Sequence, residues 1–269
     1  MAEPRPRGRP RAFHDKTEQN TVQSLDRALS ILEVLATSSG LTLTELAQAA
    51  DQSPATVYRV LSTFQAHGIV ELELDAQRWQ IGAGAFRIGS AFLRRTKLAD
   101  RARGAMETLM RETGETANLG VEDRDEVLFL TQVETHEAIR AFFPPGTRSP
   151  MHVSGIGKAL LAYAPVTRLA RMMAGGLKGF TPASLTDPLD LEKDLIATRK
   201  RGFAIDNEER TEGMRCIAAP IFNAQGAPVA GLSISGPVFR LSLERAEEMG
   251  CMVKRAALGV TEATGGRVP

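Results

Sequence analysis

Residues 41–68 read LTLTELAQAADQSPATVYRVLSTFQAHG and decide the fold of the N-terminal region. Thr42 and Glu45 have the spacing of a capping box, in which each side chain bonds the backbone amide of the other residue, so a helix is predicted to begin there. Ser53 followed by Pro54 predicts the start of a second helix. Two short helices joined by so tight a turn are typical of a helix-turn-helix, although an ordinary helical corner shares the pattern.

The flanking residues complete a winged helix-turn-helix. A periodic apolar face from Ser24 to Leu35 predicts a helix before the pair. After Gly68, the segments IVELEL and RWQIG flank residues 75–77 and predict a β-hairpin, the wing. A helix pair alone is common, but the preceding helix and the wing favour DNA binding over a structural corner. Residues 21–83 are assigned to this domain.

The second helix is expected to present its outward side chains to the major groove of operator DNA. Its apolar residues recur at helical spacing from Val57 to Phe64 and are predicted to face inward. Arg59 suits guanine or a phosphate, and Arg78 in the wing suits a phosphate. The candidate DNA contacts of the two elements are Gln52, Ser53, Ala55, Thr56, Tyr58, Arg59, Ser62 and Arg78. A solvated polar face is the alternative for each of them.

Residues 1–20 are basic and rich in proline, and they contain the run PRPRGRPR. Prolines keep such a run extended. An extended arm with regularly spaced arginines fits a narrow A·T-rich minor groove, whose negative potential attracts arginine. We therefore predict a disordered basic arm in which Arg7 and Arg9 contact DNA. A basic tail with no role in binding is the alternative.

Composition excludes several classes of protein. The chain has 269 residues, of which 43% are hydrophobic and 24% charged, with a net charge of +1, as in ordinary globular proteins. No apolar run approaches the ~18 residues that span a bilayer, so no membrane partner is expected. The two cysteines, Cys216 and Cys251, and the absence of a metal-ligand spacing of His and Cys predict a cytoplasmic protein without disulfide, metal or cofactor.

The rest of the chain predicts a helix followed by a domain of mixed helices and strands, an α+β fold overall. Residues 84–97 are predicted to form a linker helix that pairs with a copy of itself, with a helix buried between domains as the alternative. Residues 98–265 are assigned to one domain. Its predicted strands are a hairpin over 116–133, AIRAFF at 138–143, FAIDNE, MRCIAAPIFN and VAGLSISG. Its predicted helices are 98–114, KALLAYA, 190–201 and a last helix that is capped by Ser242.

The turn SGIG at residues 154–157 resembles a phosphate-binding loop but fails the glycine spacing of both the Walker loop and the dinucleotide loop. It still predicts a helix start with free amides on Gly155 and Ile156, which suits a small carboxylate. Ser233 and Ser235 are two apart on one predicted strand and therefore share a face. These residues predict a small-anion site, unless the serines only bond nearby backbone and the glycines only allow close packing.

The stretches QSPATVYRVL, MHVSGIGKALLA and RGFAIDNEERTEGMRCIAAPIFNAQGAPVAGLSISGP resemble the IclR family of bacterial transcriptional regulators, over residues 21–265. The resemblance implies a winged helix that binds double-stranded operator DNA, a linker helix and a GAF-like effector-binding domain. It also implies a homo-oligomer, either a dimer or a homotetramer made of two dimers. Repressor and activator both stay open, because the choice depends on where the operator lies relative to the promoter.

The same resemblance implies an effector pocket, built from Gly155, Ile156, Asp206, Met214, Cys216, Ser233 and Ser235. The pattern is similar to that of family members that sense glyoxylate and pyruvate, so a small oxoacid, glyoxylate first, is the expected effector. Asp206 would repel a carboxylate and is expected to accept a hydrogen bond from the other end of the ligand. Ala141 and Ser149 stand where bulkier apolar residues are expected, which leaves room for a different oxoacid. An aromatic acid is the alternative effector.

Two further classes of function fit the sequence less well. A hydrolase would combine Cys216 with His152 and Asp206, but Cys216 lies in the middle of a predicted strand, away from a helix start that would lower its pKa. No catalytic residue is therefore assigned. A constitutive architectural DNA-binding protein would not need a second, pocketed domain.

Deleting residues 1–12 is expected to weaken DNA binding and to reduce its dependence on salt. The deleted segment contains Arg5, Arg7, Arg9 and Arg11. Each arginine that contacts a phosphate releases counterions, so the slope of log K against log[salt] should fall in magnitude by about 0.9 per lost contact. Fluorescence anisotropy at several salt concentrations measures the slope. An unchanged slope would leave the arm as a tail without a role in binding.

Overall fold

The computed structural model describes residues 21–269, without the side chains of residues 92–96. The chain divides into two compact units, one that ends at Arg95 and one that runs from Thr96 to Pro269. The predicted arm, with Arg7 and Arg9, lies outside the described residues.

The first unit is a three-helix core with a β-hairpin. Its elements are α1 (Gln23–Ala36), α2 (Leu43–Ala49), α3 (Pro54–Ala66), β1 (Val70–Glu73), β2 (Arg78–Ile81) and most of α4 (Ala83–Thr96). The capping box is present, because the Thr42 amide donates to Glu45 Oε2 at 2.8 Å and the Glu45 amide donates to Thr42 Oγ1 at 3.3 Å. Ser53 caps α3 by accepting from the Thr56 amide. The winged helix-turn-helix part of the α+β prediction is confirmed.

The second unit is a six-stranded antiparallel sheet with helices on both faces. Its elements are α5 (Leu98–Thr113), β3 (Thr116–Asp123), β4 (Glu126–Val133), β5 (Arg148–Pro150), α6 (Gly155–Leu161), α7 (Val166–Ala174), α8 (Pro188–Arg201), β6 (Ala204–Asn207), β7 (Met214–Phe222), β8 (Pro228–Pro237) and α9 (Ala246–Ala263). The strand order is β5-β4-β3-β8-β7-β6. The α+β fold class is therefore confirmed in this unit as well.

Alternation along β7 divides the unit into layers. Ile217 and Ala219 pack in the core that includes α5 and α9, whereas Ala218 packs in the core that includes α6 and α8. Cys216 points to the same face as Ala218, since the two residues are two apart on one strand. The face that carries α6 is therefore also the face that carries the predicted polar residues.

Three of the predicted elements differ in the structure. AIRAFF at 138–143 is not a strand. Distant side chains bond the backbone there instead, since Gln132 Oε1 accepts from the Phe143 amide and Arg240 donates to the Ile139 carbonyl. The helix predicted as KALLAYA begins earlier, at Gly155, and ends at Leu161. The last helix begins at Ala246, after a turn that Ser242 starts, so Ser242 is not its cap.

The sequence predicted neither a membrane-spanning segment nor a metal site. Within residues 21–269 no helix is long and apolar enough to cross a membrane. The same residues contain no group of three His, Cys, Asp or Glu side chains placed to hold a metal ion.

Lys158, in the SGIGK motif, lies fully buried beneath α6. Its Nζ donates to Glu209 Oε1 at 2.5 Å and to the Ile205 carbonyl at 2.6 Å, and it lies 3.0 Å from Asp194 Oδ2. Burial raises the pKa of Glu209, and the charge of Lys158 offsets part of that rise. The lysine thus joins α6, α8, β6 and the loop after β6, rather than binding a phosphate.

Replacing this lysine by a methionine, Lys158→Met, is expected to destabilise the second unit by about 3–5 kcal/mol, because Glu209 and Asp194 lose their buried counter-charge. Urea unfolding followed by far-UV circular dichroism measures the change. The only tryptophan, Trp79, lies in the first unit, so its fluorescence follows that unit separately.

The matched control is Lys193→Met, since Lys193 also pairs with an aspartate, Asp190 at 2.8 Å, but is exposed on α8. This control should leave the unfolding transition where it is in the parent protein. Equal stability of the Lys158 and Lys193 variants would contradict a structural role for the buried lysine.

Candidate functional site

The outward face of α3 has the predicted orientation. Val57 and Leu61 are fully buried in the core of the first unit. Ala55, Tyr58 and Arg59 are exposed on the opposite side. Among residues 21–269, Arg59 forms no ion pair, so its guanidinium is available to an external anion.

Several hydroxyl groups on this helix already have partners in the helix itself. Ser53 Oγ lies 2.9 Å from Thr56 Oγ1, and Ser62 Oγ donates to the Tyr58 carbonyl at 2.8 Å. Gln52, just before the helix, is partly buried. Arg59 and Tyr58 are therefore the side chains of the predicted set with the greatest freedom to reach a partner.

Arg78 has a structural contact that sequence reasoning missed. Its Nη1 donates to the Gly40 carbonyl at 2.9 Å, and its Nη2 lies 4.0 Å from Glu45 Oε1. The side chain thus ties the wing to the segment before α2. A phosphate contact from Arg78 has to compete with these two partners.

A small cavity of about 40 Å³ lies between the sheet and the start of α6. Its lining comprises Phe129, Phe143, Ser149, Ser154, Gly155, Asp206, Arg210, Thr211, Met214, Arg215, Cys216 and Ser235. Five of the seven predicted pocket residues are in that lining. The other two, Ile156 and Ser233, are fully buried but do not line it.

The sheet register assembles the polar floor of the cavity. Asp206 on β6 is paired with Cys216 on β7, and Cys216 is paired with Ser235 on β8. Paired residues of antiparallel strands point to the same face with their Cβ atoms about 5 Å apart. Three strands that are distant in sequence therefore bring a carboxyl, a thiol and a hydroxyl into one row.

Asn118 belongs to this polar group, although the sequence analysis did not select it. It is fully buried on β3, and its Nδ2 lies 3.4 Å from Ser233 Oγ and 3.2 Å from Ser235 Oγ, donating to both. Because both oxygens accept from Asn118, the serine O–H groups are left to donate elsewhere. The one sign of this role in the sequence is that a polar residue, Asn118, stands in the middle of the mostly apolar strand TANLGVE.

The two acidic groups of the cavity have raised pKa values, so each is less ionised at neutral pH than it would be in water. Burial raises the pKa of Asp206 to about 7, helped by the nearby charge of Glu209 and opposed by Lys158. Burial also raises the pKa of Cys216 to about 11, with Asp206 as the second cause, so the thiol is protonated at neutral pH. A half-neutral carboxyl repels an anionic ligand less than an ionised one does.

The glycines at the start of α6 allow close packing on the sheet. A Cβ on Gly155 would lie 2.7 Å from Cys216 Sγ, and one on Gly157 would lie 2.2 Å from the Met151 carbonyl oxygen. The nearby Gly155 amide lowers the pKa of the Cys216 thiol slightly, against the larger effect of burial. The Ile156 amide has no acceptor among the residues that the structure describes. The glycines therefore do allow α6 to pack closely on the sheet, and the Ile156 amide is left without an acceptor in the described part of the chain.

Aromatic rings take up the space that the small residues were expected to leave. Phe129 and Phe143 stack with ring centroids 4.9 Å apart and line the cavity beside Ser149. Ala141 is buried but is not part of the lining. The cavity is consequently small despite Ala141 and Ser149.

The Cys-His-Asp arrangement of a hydrolase is not assembled. His152 does not line the cavity, and its Nε2 lies 2.9 Å from the Lys178 carbonyl. Burial lowers the pKa of His152. Cys216 therefore lacks the histidine that would have to activate it as a nucleophile.

Known proteins similar to this chain are transcriptional regulators. The chain is 55% identical over 254 residues to the HTH-type transcriptional regulator BhcR of Paracoccus denitrificans (strain Pd 1222), covering 94% of this chain and 91% of that protein. It is 41% identical over 267 residues to the transcriptional repressor IclR of Escherichia coli (strain K12), covering 98% and 97%.

A solved structure has the same fold. An IclR homologue from Microbacterium hydrocarbonoxydans, crystallised with 4-hydroxybenzoate, matches with a TM-score of 0.79 and 26% identity, covering 89% of this chain and 98% of that one. The family model of the IclR helix-turn-helix domain matches residues 24–73, and that of the bacterial transcriptional regulator IclR C-terminal region matches residues 90–262. The chain belongs to the IclR family of ligand-responsive, DNA-binding transcriptional regulators.

Proposed function

We propose that this regulator binds operator DNA through α3 and changes its DNA affinity when a small oxoacid such as glyoxylate enters the cavity beneath α6. The observation that carries the proposal is the cavity itself, which combines a volume of about 40 Å³ with Asp206, Cys216 and Ser235 in one row. The regulator represses or activates an operon for the breakdown of a small acid.

On the DNA side, α3 lies in the major groove, with Arg59 and Tyr58 as its main contacts. Both side chains are exposed, and Arg59 has no competing carboxylate within residues 21–269. Gln52, Ala55 and Thr56 contribute contacts at the start of the helix, where recognition helices meet base edges. Ser53 and Ser62 contribute less to DNA binding because their hydroxyls already hydrogen bond to groups of α3.

The proposed oligomer forms through α4. Phe86 and Ile88 on that helix are 75% and 63% exposed, which is costly for two large apolar side chains of a single chain. Pairing with the same helix of a second copy buries them and gives an isologous dimer. Two such dimers would make the homotetramer.

The cavity supports a two- or three-carbon ligand. A volume of about 40 Å³ holds roughly three water molecules. In the proposed pose the ligand carboxylate lies at the start of α6 beside the Gly155 amide, Ser235 donates its hydroxyl, and Asp206 meets the carbonyl or hydrate end. The Ile156 amide, which the sequence also suggested, does not border the cavity. Arg210 lines the same cavity and adds positive charge that suits an anion.

An aromatic acid is the second candidate effector, because the similar protein from Microbacterium hydrocarbonoxydans was crystallised with 4-hydroxybenzoate. In this chain the cavity of about 40 Å³ would have to widen to take an aromatic ring, since a cavity that binds benzene has a volume of roughly 150 Å³. A two- or three-carbon oxoacid asks for less widening.

Substituting Arg59 by alanine is expected to weaken operator binding by about 1–3 kcal/mol while the protein stays folded, because one base or phosphate contact is lost. The operator is first located by footprinting the intergenic DNA beside the gene, and fluorescence anisotropy then gives the affinities. The control is Arg103→Ala, which removes an exposed arginine of α5 in the second unit. Equal operator affinity of the two variants would show that the outward face of α3 has been misassigned.

Substituting Ser235 by alanine is expected to reduce glyoxylate affinity roughly tenfold, because a hydrogen bond to a charged ligand is worth about 1.5–3 kcal/mol. Calorimetry measures the affinity. Ser233→Ala is the matched control, since Ser233 also accepts from Asn118 but does not line the cavity, so its effect should be smaller. If the parent protein binds 4-hydroxybenzoate and not glyoxylate, the aromatic candidate replaces the oxoacid.

A further inference from the structure

The thiol of Cys216 occupies a polar position in the cavity. Buried cysteines usually pack as small apolar side chains. Here Cys216 lines the cavity, Ser235 is its partner on one neighbouring strand and Asp206 is its partner on the other. The sulfur therefore borders the space that the ligand would enter, beside a residue that carries a carboxyl group.

The second feature is the acidic residue directly beside the thiol. Asp206 and Cys216 are a directly paired couple on β6 and β7 and point to the same face. The pKa of Asp206 is raised to about 7, so its carboxyl can both accept and donate a proton at neutral pH, whereas the thiol alone stays protonated because its pKa is raised to about 11. A proton relay beside a thiol is what an addition to a carbonyl group requires.

We propose that Cys216 captures an aldehyde effector as a reversible covalent hemithioacetal, which gives the pocket its preference for an aldehyde acid over the matching hydroxy acid. The inference rests on the proposed function, because it concerns the same cavity and the same class of ligand.

The step balances without any oxidant or further reactant. The sulfur forms a bond to the aldehyde carbon, and the carbonyl π bond becomes a single bond to oxygen. The carboxyl of Asp206 donates its proton to that oxygen while it takes the proton of the thiol. The product is S–CH(OH)–COO⁻ on Cys216, with Asp206 protonated as before, and the reverse path releases the aldehyde.

Glyoxylate and glycolate make the matched ligand pair, since both have two carbons and one carboxylate and only glyoxylate has an aldehyde. The parent protein should bind glyoxylate at least about tenfold more tightly than glycolate in calorimetry. Cys216→Ser and Cys216→Ala should both abolish that preference, so that each variant binds glyoxylate and glycolate with affinities within about threefold of each other. Cys251→Ser is the control, because it removes the exposed cysteine of α9 and should keep the preference.

A spectroscopic measurement on the parent protein tests the bond itself and does not depend on whether the Cys216 variants fold. Glyoxylate labelled with ¹³C at the aldehyde carbon should give a bound resonance of a sulfur-substituted carbon, distinct from those of the free aldehyde and of its hydrate. Glyoxylate that binds only as aldehyde or hydrate, or variants at Cys216 that keep the preference, would overturn the covalent capture and leave the proposed function standing. No binding of either acid to the parent protein would overturn both.

Discussion

The buried ammonium group of Lys158 holds the effector-binding unit together at the point where its function is proposed to lie. The lysine extends from α6, hydrogen bonds Glu209 and the Ile205 carbonyl, and forms an ion pair with Asp194, so one side chain connects the helix, α8 and the loop after β6. That loop contributes Arg210 to the cavity, and β6 contributes Asp206. Without this charge the carboxyls would face each other in a low dielectric, which is costly.

The same electrostatic arrangement sets the chemistry of the cavity. Glu209 pairs with Lys158 and at the same time adds its negative charge to the effect of burial on Asp206, so that the pKa of Asp206 is raised to about 7. A carboxyl in that range accepts a hydrogen bond from a ligand hydroxyl or donates one to a carbonyl, depending on its proton. The cavity can therefore contain an acidic side chain and still suit an anionic ligand, which answers the difficulty that the sequence raised for Asp206.

Local signals predicted the local structure well, whereas the site depends on contacts that are distant in sequence. The capping box at Thr42 and the cap at Ser53 identify α2 and α3 because all the interacting atoms lie within four residues. The family resemblance gave Asp206 and Cys216, but only the strand register places them side by side. Spacing could not separate Ser233 from Ser235, since both point to one face and only Ser235 lines the cavity.

The errors have the same origin. AIRAFF has the composition of a strand, yet Gln132 and Arg240 supply its backbone partners. Ala141 and Ser149 predicted a roomier pocket, yet the ring of Phe143 comes from the loop that was misread as that strand. Asn118 was missed because nothing in its own strand indicates which serines it bonds. In each case a contact across the unit overrides a local preference.

The central claim is that the cavity under α6 and the DNA-binding face of α3 are coupled, and reciprocal titration tests it most directly. Operator affinity is measured by anisotropy with and without saturating glyoxylate, and glyoxylate affinity is measured by calorimetry with and without operator. Coupled sites must change each other's affinity by one common factor, typically about 5–150-fold. Equal factors in that range are the expected result, and glyoxylate binding that leaves operator affinity unchanged would contradict the account.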